Sequence, residues 1–325
     1  MNHPKPGTVD YERHVQEEIE YFSSLFKEGE GRETLHQPIP PSWQEAERRA
    51  AMLINEKTGN FLGGHIEKRL NSRPCIRLLS LGSGACGMEI DFAKTCPQAK
   101  IVCMDLNADL LELGRERARQ LGLNMEFTPT DLNTVDLPRN EFDFVYCAAA
   151  LHHVIELERL AEQIKATLRP EGEFVIVDVI TQSGYLMWPE TREAVRNIWK
   201  TLPARFRINH TCGPKGQVDE EVWESDTSQH GMECVRSGDI LAVLEQAFEV
   251  KHFVPYFSIS RRFLDTMYGP NYDLSASLDA ATFNWIWALD RHYLESRQLR
   301  PETFFGVYQP KKPKRGLLAR LRGSF

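Results

Sequence analysis

The sequence has few of the features that mark a disulfide-bonded or metal-binding protein. Its cysteines number seven, none of them forms a C-x-x-C pair, and the histidines outside positions 152 and 153 show no metal-ligand spacing. Secreted disulfide scaffolds use an even number of cysteines, and zinc sites use closely spaced pairs. We therefore predict reduced, mostly buried thiols in a cytoplasmic protein that carries no metal.

Long hydrophobic runs and an excess of positive charge are also missing. No apolar stretch approaches the roughly 20 residues that a membrane span needs, and the polar start of the chain is not typical of a signal peptide. A net charge of −7 over 325 residues argues against a general affinity for nucleic acid. Residues 311–325, however, hold six Lys or Arg and no acid. We predict a basic tail there, either a mobile terminus or a weak contact with an anionic membrane surface.

The sequence also has no internal repeat and no G-x-S-x-G nucleophile elbow, but it does contain a glycine-rich motif. An apolar run, residues 78–81, stops at Gly82, Gly84 and Gly87, and a helix-like segment, residues 88–93, follows at once. This order predicts a strand, a tight turn and a helix N-terminus. Glycines allow a ligand to approach the backbone, and the helix start offers free N–H groups to negative charge. The motif therefore predicts a nucleotide-like cofactor without deciding which one.

Strands and helices alternate after this motif. Alternation of this kind predicts an α/β fold, with a parallel sheet between layers of helices and the ligand at the carboxyl ends of the strands. The predicted strands cover 76–81, 99–105, 125–131, 142–149, 173–179, 249–258 and 303–309; the predicted helices cover 87–95, 108–121, 156–168, 239–248 and 279–296.

About 70 mostly helical residues precede the first strand. Apolar residues at helical spacing predict a helix over 9–28, and further helices are predicted over 43–55, with Ser42 as a possible N-cap, and over 64–70. This N-terminal region is either a packing extension or a cap over the active site, and the sequence leaves both open.

Two acids follow the second and third predicted strands. Asp105 comes 18 residues after Gly87, where a carboxylate is placed to accept the hydroxyl groups of a ribose. The alternative is a structural role as a helix N-cap. Asp131 ends the third strand, at the same edge of the sheet.

These features together resemble the class I S-adenosylmethionine-dependent methyltransferases. The glycine turn, Asp105, Asp131, the segment FDFVYCAAALHHV and the segment LRPEGEFVIVDV have the order and spacing of that family over about residues 75–180. The resemblance implies a doubly wound, seven-stranded, mostly parallel Rossmann-like sheet with an antiparallel end hairpin, and S-adenosylmethionine as the cofactor. The cofactor-binding residues that it implies are Leu81, Gly82, Ser83, Gly84, Asp105, Leu106, Asp131, Leu132 and Ala148.

Two positions depart from the family pattern. Ser80 stands where most members carry an acid, and Cys86 stands where a third glycine is usual, with Gly87 one place late. These departures raise the alternative of a non-catalytic, methyltransferase-like binding subunit.

The resemblance also divides the chain. It implies a helical N-terminal cap at 1–70, a methyltransferase domain at 71–310 with a lid insertion at about 181–237, and the basic tail at 311–325. We predict that cap and lid cover one cleft, with Arg236 as a candidate for binding an acidic group of the substrate, or else as part of a structural salt bridge.

The predicted function is methylation of a small molecule, most simply at an oxygen atom, rather than of a protein or a nucleic acid. His152 and His153 lie just past the fourth strand, where one of them could remove a proton from the acceptor. Asp178, at the end of the fifth strand, is the reserve candidate, as a base or as the group that orients an imidazole. The alternative for the histidines is support of the loop or of the cofactor.

Overall fold

The computed structural model describes residues 3–26, 39–72, 74–213, 215–229 and 231–311. Within that part of the chain, seven strands form one sheet in the order β3-β2-β1-β4-β5-β7-β6. They are β1 (Arg77–Leu81), β2 (Lys100–Asp105), β3 (Met125–Pro129), β4 (Phe142–Ala148), β5 (Leu168–Val179), β6 (Phe248–Tyr256) and β7 (Thr303–Pro310). A short hairpin pairs Ile208–Asn209 with Gln217–Val218.

The sheet is parallel except for one strand. β1 to β5 pair in parallel, and β7 runs antiparallel between β5 and β6. This arrangement confirms the predicted doubly wound, seven-stranded sheet with its antiparallel end. β5 starts earlier than predicted: Leu168 already pairs with Phe142, and the next pair joins Phe144 to Glu173, so residues 169–172 form an irregularity rather than a turn before the strand.

Helices cover both faces of the sheet, as the alternation predicts. Apolar residues of α6 and α8 pack on one face, and those of α3, α4 and α5 pack on the other. The helices are α1 (Val9–Phe26), α2 (Pro41–Thr58), α3 (Leu62–Leu70), α4 (Gly87–Thr95), α5 (Ala108–Gln120), α6 (Leu157–Thr167), α7 (Pro189–Trp199), α8 (Ile240–Ala247), α9 (Arg261–Leu264) and α10 (Ser277–Glu295).

The second N-terminal helix begins differently from the prediction. Pro40 is the N-cap residue of α2 and Pro41 occupies its first turn, where a missing N–H costs nothing. Ser42, predicted as a possible N-cap, is instead fully buried and donates its hydroxyl proton to the carbonyl oxygen of Gly269 (2.8 Å). The serine joins α2 to the C-terminal half of the chain rather than capping the helix.

Parts of the N-terminal region and of the insertion pack together beside the sheet. Buried residues of α2, α7, α9 and α10 share one hydrophobic cluster with residues of the sheet. At its centre, the Trp199 ring lies 4.8 Å from the Tyr268 ring and 5.9 Å from the Phe263 ring. α2 and α7 therefore form part of the core, whereas α1 lies elsewhere.

None of the seven cysteines is in a disulfide, and five of them are buried. No helix within the described ranges is long and apolar enough to cross a membrane. The predicted basic tail lies outside the described residues apart from Lys311, which donates to carbonyl groups of Glu245 and Gln246.

Candidate active site

The glycine-rich turn forms one wall of a cavity at the carboxyl edge of the sheet. The cavity has a volume of about 170 Å³ and is partly open to solvent. The ends of β1, β2 and β4, the segment after β3, and α1 surround it. Its lining residues are Glu18, Ile19, Phe22, Gly82, Gly84, Asp105, Leu106, Asn107, Leu110, Asp131, Leu132, Asn133, Ala149, Ala150, His153, Val154 and Met232.

The turn itself has a backbone that requires glycine. Gly82 and Gly84 both have positive φ angles, 65° and 51°, and a Cβ atom at Gly82 would lie 2.2 Å from the Cβ atom of Ala150. The carboxylate of Asp105 accepts the Gly84 N–H (2.7 Å) and the Asn107 N–H (2.8 Å). Since a carboxylate has about four acceptor positions, it keeps capacity for hydroxyl groups in the cavity.

Asp105 is not the N-cap that the alternative interpretation would make it. Asn107 caps α5, because its side-chain oxygen accepts the N–H groups of Asp109 and Leu110 (both 3.1 Å). Asn107 also donates to α1, through the hydroxyl oxygen of Ser23 (2.9 Å). The side chain of Asp105 therefore binds the glycine turn and lines the cavity.

The two departures from the family pattern have local compensations. The Ser80 hydroxyl donates to the carboxylate of Glu89 on α4 (2.6 Å), and both side chains are buried. Burial raises the pKa of Glu89, although the bond from Ser80 opposes the shift. The acid missing from the strand is thus supplied by the helix. Cys86 adopts a φ of 59°, the left-handed conformation that glycine prefers, and packs against Gly114 of α5.

The N-terminal helix α1 closes one side of the cavity. Glu18, Ile19 and Phe22 line it, and the Tyr11 hydroxyl donates to the carboxylate of Asp131 (2.7 Å). Burial and the Asp131 charge raise the pKa of Tyr11 far above its usual range, so the phenol stays protonated as a donor. α1 thereby contacts an acid that the resemblance assigns to the cofactor.

His153 joins α1 to the loop after β4. Its Nδ1 atom lies 2.6 Å from the Glu18 carboxylate, and its Nε2 atom lies 3.6 Å from Glu233. Burial by itself would lower the pKa of His153, but the bond to Glu18 and the charges of Glu18 and Glu233 outweigh it and raise the pKa to about 9. At neutral pH the ring is an imidazolium, which cannot accept a proton.

His152 is buried and has a different environment. Its Nδ1 atom lies 2.5 Å from the Asp178 carboxylate, and its Nε2 atom lies 3.8 Å from Glu233. Asp178 also accepts the backbone N–H of Leu151 (2.8 Å). The carboxylate therefore contacts both the ring and the loop that carries it.

Three atoms that could act as metal ligands lie close together here. One atom each of His152, Glu233 and Cys234 lies within 4.8 Å of the others, close enough to surround a metal ion. Burial, however, raises the pKa of the Cys234 thiol well above its ordinary value.

Most of the predicted cofactor residues come together in this cavity. Gly82, Gly84, Asp105, Leu106, Asp131 and Leu132 line it. Three others do not: Leu81 is fully buried in the core, the Ser83 hydroxyl lies 3.4 Å from the Met104 carbonyl, and Ala148 packs against the core while Ala149 and Ala150 line the cavity.

Arg236 is not placed to bind a substrate. Its guanidinium donates to Glu158 (2.8 Å), to Asp239 (2.8 Å) and to the Ile155 carbonyl (2.8 Å). These partners occupy its donors, and it does not line the cavity. The structure thus corrects the substrate prediction in favour of the salt bridge.

Most of the residues that sequence reasoning missed lie far along the chain from the glycine motif. Tyr11, Glu18 and Phe22 are in α1, and Glu233 is in the insertion; Glu89, in α4, is the exception. A buried acid two residues after Gly87 was a usable signal for Glu89, because Ser80 replaces the usual acid nearby. The α1 residues carry no such local signal.

The cavity fits an adenosyl cofactor. It offers a turn that excludes a side chain at Gly82, a carboxylate at Asp105 with free acceptor capacity, and a second carboxylate at Asp131. Leu106, Leu110 and Leu132 add an apolar wall suited to a base. Hydroxyl groups, an exocyclic amine and a flat ring each find a partner among these residues.

Comparison with known proteins points to a methyltransferase domain. Residues 78–172 match the family described as "Methyltransferase domain". A ubiquinone/menaquinone biosynthesis C-methyltransferase, UbiE, of Pseudomonas savastanoi pv. phaseolicola is 29% identical over 114 residues, which are 34% of this chain and 44% of that protein. The sterol 4-C-methyltransferase strm-1 of Caenorhabditis elegans is 23% identical over 238 residues, or 72% of this chain and 64% of that protein.

The chain spans less than half the length of the UbiE proteins that it matches. Among solved structures, the geranyl diphosphate C-methyltransferase of Streptomyces coelicolor A3(2) has a similar fold, with a TM-score of 0.50, 12% identity and coverage of 95% of this chain and 100% of that chain. The family takes its methyl group from S-adenosylmethionine. Residues 78–172 are therefore similar to the methyltransferase domain family, and the sheet order and the glycine turn with its two acids agree with the class I S-adenosylmethionine-dependent type.

Proposed function

We propose that this protein transfers the methyl group of S-adenosylmethionine to a small-molecule acceptor. The observation that carries the proposal is the cavity, in which the glycine turn, Asp105 and Asp131 face a helix, α1, that closes over them. A concave site that α1 partly covers suits a small acceptor better than an extended nucleic acid or protein surface. Glu18 and Glu233 near the cavity further disfavour a phosphate backbone as the substrate.

Some residues around the cavity would bind the cofactor, and others would position the acceptor. Gly82 and Gly84 let the ligand approach the backbone, Asp105 accepts ribose hydroxyls, and Asp131 and Leu132 hold the base. When bound, the cofactor supplies a methyl group that its sulfonium has already activated. The protein therefore has to align the acceptor, exclude water and take up one proton.

We propose His152 as the group that takes this proton. His153 is protonated at neutral pH, because Glu18 and Glu233 raise its pKa to about 9, so it serves to hold α1 instead. His152 has its Nδ1 atom held by Asp178, which leaves Nε2 as the acceptor. Asp178 would stabilise the imidazolium that forms.

Two kinds of acceptor atom could receive the methyl group, oxygen and carbon. Oxygen is the simplest acceptor for a base-assisted transfer, and we propose it first. Carbon is the alternative, because the relatives UbiE and strm-1 are named as C-methyltransferases. Transfer of an isotope-labelled methyl group, followed by NMR of the product, distinguishes a methoxy group from a methyl group on carbon.

Calorimetry with S-adenosylmethionine tests the cofactor site. Each hydroxyl contact of Asp105 is worth about 1–3 kcal/mol, so Asp105→Ala should weaken binding about tenfold or more. Asp91→Ala is the matched control, because Asp91 is an exposed acid of α4 that pairs only with Lys94 (3.0 Å). An unchanged dissociation constant for Asp105→Ala contradicts the assigned site, and a parental protein that does not bind the cofactor supports the non-catalytic alternative.

A further inference from the structure

An imidazole, a carboxylate and a thiol meet where the insertion packs against the loop after β4. The Oε1 atom of Glu233 lies 3.8 Å from the Nε2 atom of His152 and 3.2 Å from the Sγ atom of Cys234. One such atom of each residue lies within 4.8 Å of the other two. Zinc bonds of about 2.0–2.3 Å in a tetrahedral site place the ligand atoms roughly 3.3–3.6 Å apart. Small movements of these side chains would therefore bring all three onto one ion.

The far side of the His152 ring is held in the way that metal-binding histidines usually are. Its Nδ1 atom lies 2.5 Å from the Asp178 carboxylate, and Asp178 also accepts the backbone N–H groups of Leu151 (2.8 Å) and Val179 (2.7 Å). A histidine that binds a metal almost always donates its other ring N–H to a carboxylate or a carbonyl group, which fixes the ring and makes the free nitrogen more basic. Nε2 is therefore oriented as a ligand atom toward Glu233.

The thiol is fixed as firmly as the imidazole. Cys234 has a φ of 52°, a conformation that is uncommon for a residue other than glycine and that occurs often at ligand-binding positions. Its carbonyl oxygen accepts the N–H of Gly184 (2.8 Å) and the hydroxyl proton of Ser237 (3.3 Å). The thiol is buried, whereas the Glu233 side chain is 37% exposed. An ion can therefore enter from solvent at the carboxylate.

The three groups together select the kind of metal. Sulfur and imidazole nitrogen are typical ligands of Zn²⁺, whereas Mg²⁺ and Ca²⁺ prefer sites made of oxygen atoms. Burial and the negative charge of Glu233 raise the pKa of the Cys234 thiol, so a bound ion has to displace the thiol proton into solvent. Zinc does this when it binds cysteine, and the thiolate and the Glu233 carboxylate then balance its two charges.

We propose that His152, Glu233 and Cys234 bind one Zn²⁺ ion, with the fourth position of the metal left for water. The site adds to the proposed function and does not depend on it. One consequence does rest on that function: zinc would take the Nε2 lone pair that the proposed proton transfer uses. Bound zinc should therefore block methyl transfer.

The experiment uses the full chain, freed of metal with a chelator. Calorimetry with Zn²⁺ measures affinity and stoichiometry, and absorption spectroscopy with Co²⁺ in place of Zn²⁺ detects bonding to sulfur through a thiolate-to-metal band in the near ultraviolet. We expect one ion per chain and a thiolate band. Asp178→Asn should weaken Zn²⁺ binding about 10–100-fold, the usual effect of losing the carboxylate behind a histidine ligand.

Variants of the ligands themselves should have larger effects than Asp178→Asn. Cys234→Ser should abolish the thiolate band, and Glu233→Gln should weaken Zn²⁺ binding because a charged ligand is lost. Circular dichroism shows whether Cys234→Ser folds; Glu233→Gln, at a partly exposed side chain, keeps the test open if it does not. The matched control is Cys212→Ser, because Cys212 is an exposed cysteine and should leave affinity and spectrum at the parental values.

A parental cobalt spectrum without a thiolate band would overturn the inference, and so would parental Zn²⁺ affinity in folded Cys234→Ser or in Glu233→Gln. A loss in Cys212→Ser as large as that in Cys234→Ser would mean adventitious binding to exposed cysteine and would overturn it too. The consequence is measured with methyl-labelled cofactor and a small-molecule extract of the cells that make the protein. Equal transfer by zinc-loaded and metal-free protein would contradict His152 as the base, while the spectra decide on the zinc site separately.

Discussion

At the scale of single residues, the glycine turn shows how one substitution is offset by another. Ser80 removes a carboxylate from β1, and Glu89 supplies one from α4 at 2.6 Å from the serine hydroxyl. Cys86 takes a backbone conformation that favours glycine, next to a real glycine, Gly114. The turn therefore keeps its shape, and Glu89 provides a carboxylate next to it. Both features support a functional cofactor site over one that has lost cofactor binding.

The pair of His152 and Asp178 allows a sharp test of the proposed base. We expect His152→Ala to lower the rate of methyl transfer by about 10²–10⁴, the usual contribution of a general base. The Asp178 carboxylate lies 2.5 Å from Nδ1 of His152. Asp178→Asn should therefore also lower the rate, because a neutral amide does not stabilise the imidazolium. Single-turnover transfer with saturating cofactor is the measurement.

The control is His210→Ala, since His210 is exposed and bonds Asn271 (2.9 Å). Cofactor affinity, measured by calorimetry, should stay at the parental value in all three variants. If His152→Ala transfers methyl at the parental rate, the ring supports the loop only, and alignment of the acceptor suffices for catalysis.

At the scale of elements, α1 is the part of the N-terminal region that belongs to the site. Its polar contacts reach the end of β3 through Tyr11, the loop after β4 through Glu18, and the segment at 231–232. His14 adds a bond between its Nδ1 atom and the Gly231 carbonyl (2.8 Å). Buried residues of α2 and α3 lie in the core instead.

The bond between His153 and Glu18 predicts that the free energy of unfolding depends on pH. The pKa of His153 is raised from 6.5 to about 9 in the folded protein, so folding favours the protonated ring. The resulting stabilisation is complete below pH 6.5 and is lost as the pH rises through about 9. Urea unfolding at pH values below and above this window should therefore show that Glu18→Gln destabilises the protein mainly at the lower pH.

Glu20→Gln is the matched control, because Glu20 is an exposed acid of α1 that bonds only Gln16 (2.8 Å). Its effect on the free energy of unfolding should be small at both pH values. An effect of Glu18→Gln that is equal at both ends of the window contradicts the assigned protonation of His153.

At the scale of the whole molecule, the parts that could be predicted from the sequence are those with a local pattern. Periodicity indicated the strands and helices, and the rule that ligands bind at carboxyl ends placed Asp105 and Asp131 in one site. Contacts between distant parts have no such pattern: Tyr11 and Asp131 are 120 residues apart. The role of Arg236 could likewise not be read from the sequence, because only the fold brings Glu158 next to it.

The contact of α1 with Asp131 predicts that this helix slows the release of the cofactor. Tyr11→Phe removes the hydroxyl that donates to Asp131 (2.7 Å) but keeps the ring. A hydrogen bond to a charged group contributes about 1.5–3 kcal/mol, so cofactor release should become about tenfold faster or more. Stopped-flow release of the cofactor is the measurement, with the exposed Tyr21 replaced by Phe as the control.

Hydrogen exchange, measured along the whole chain, tests the same prediction. With cofactor bound, α1 and the segment at 231–235 should both gain protection, because Glu17 and Glu18 accept the N–H groups of Gly231 (2.9 Å) and Met232 (3.0 Å) and so tie the two together. The gain should be smaller in Tyr11→Phe, while the surface of α10 should exchange alike in both proteins. Protection of the sheet edge without any change in α1 would mean that the cofactor enters past a fixed helix, and release from Tyr11→Phe would then match the parental rate.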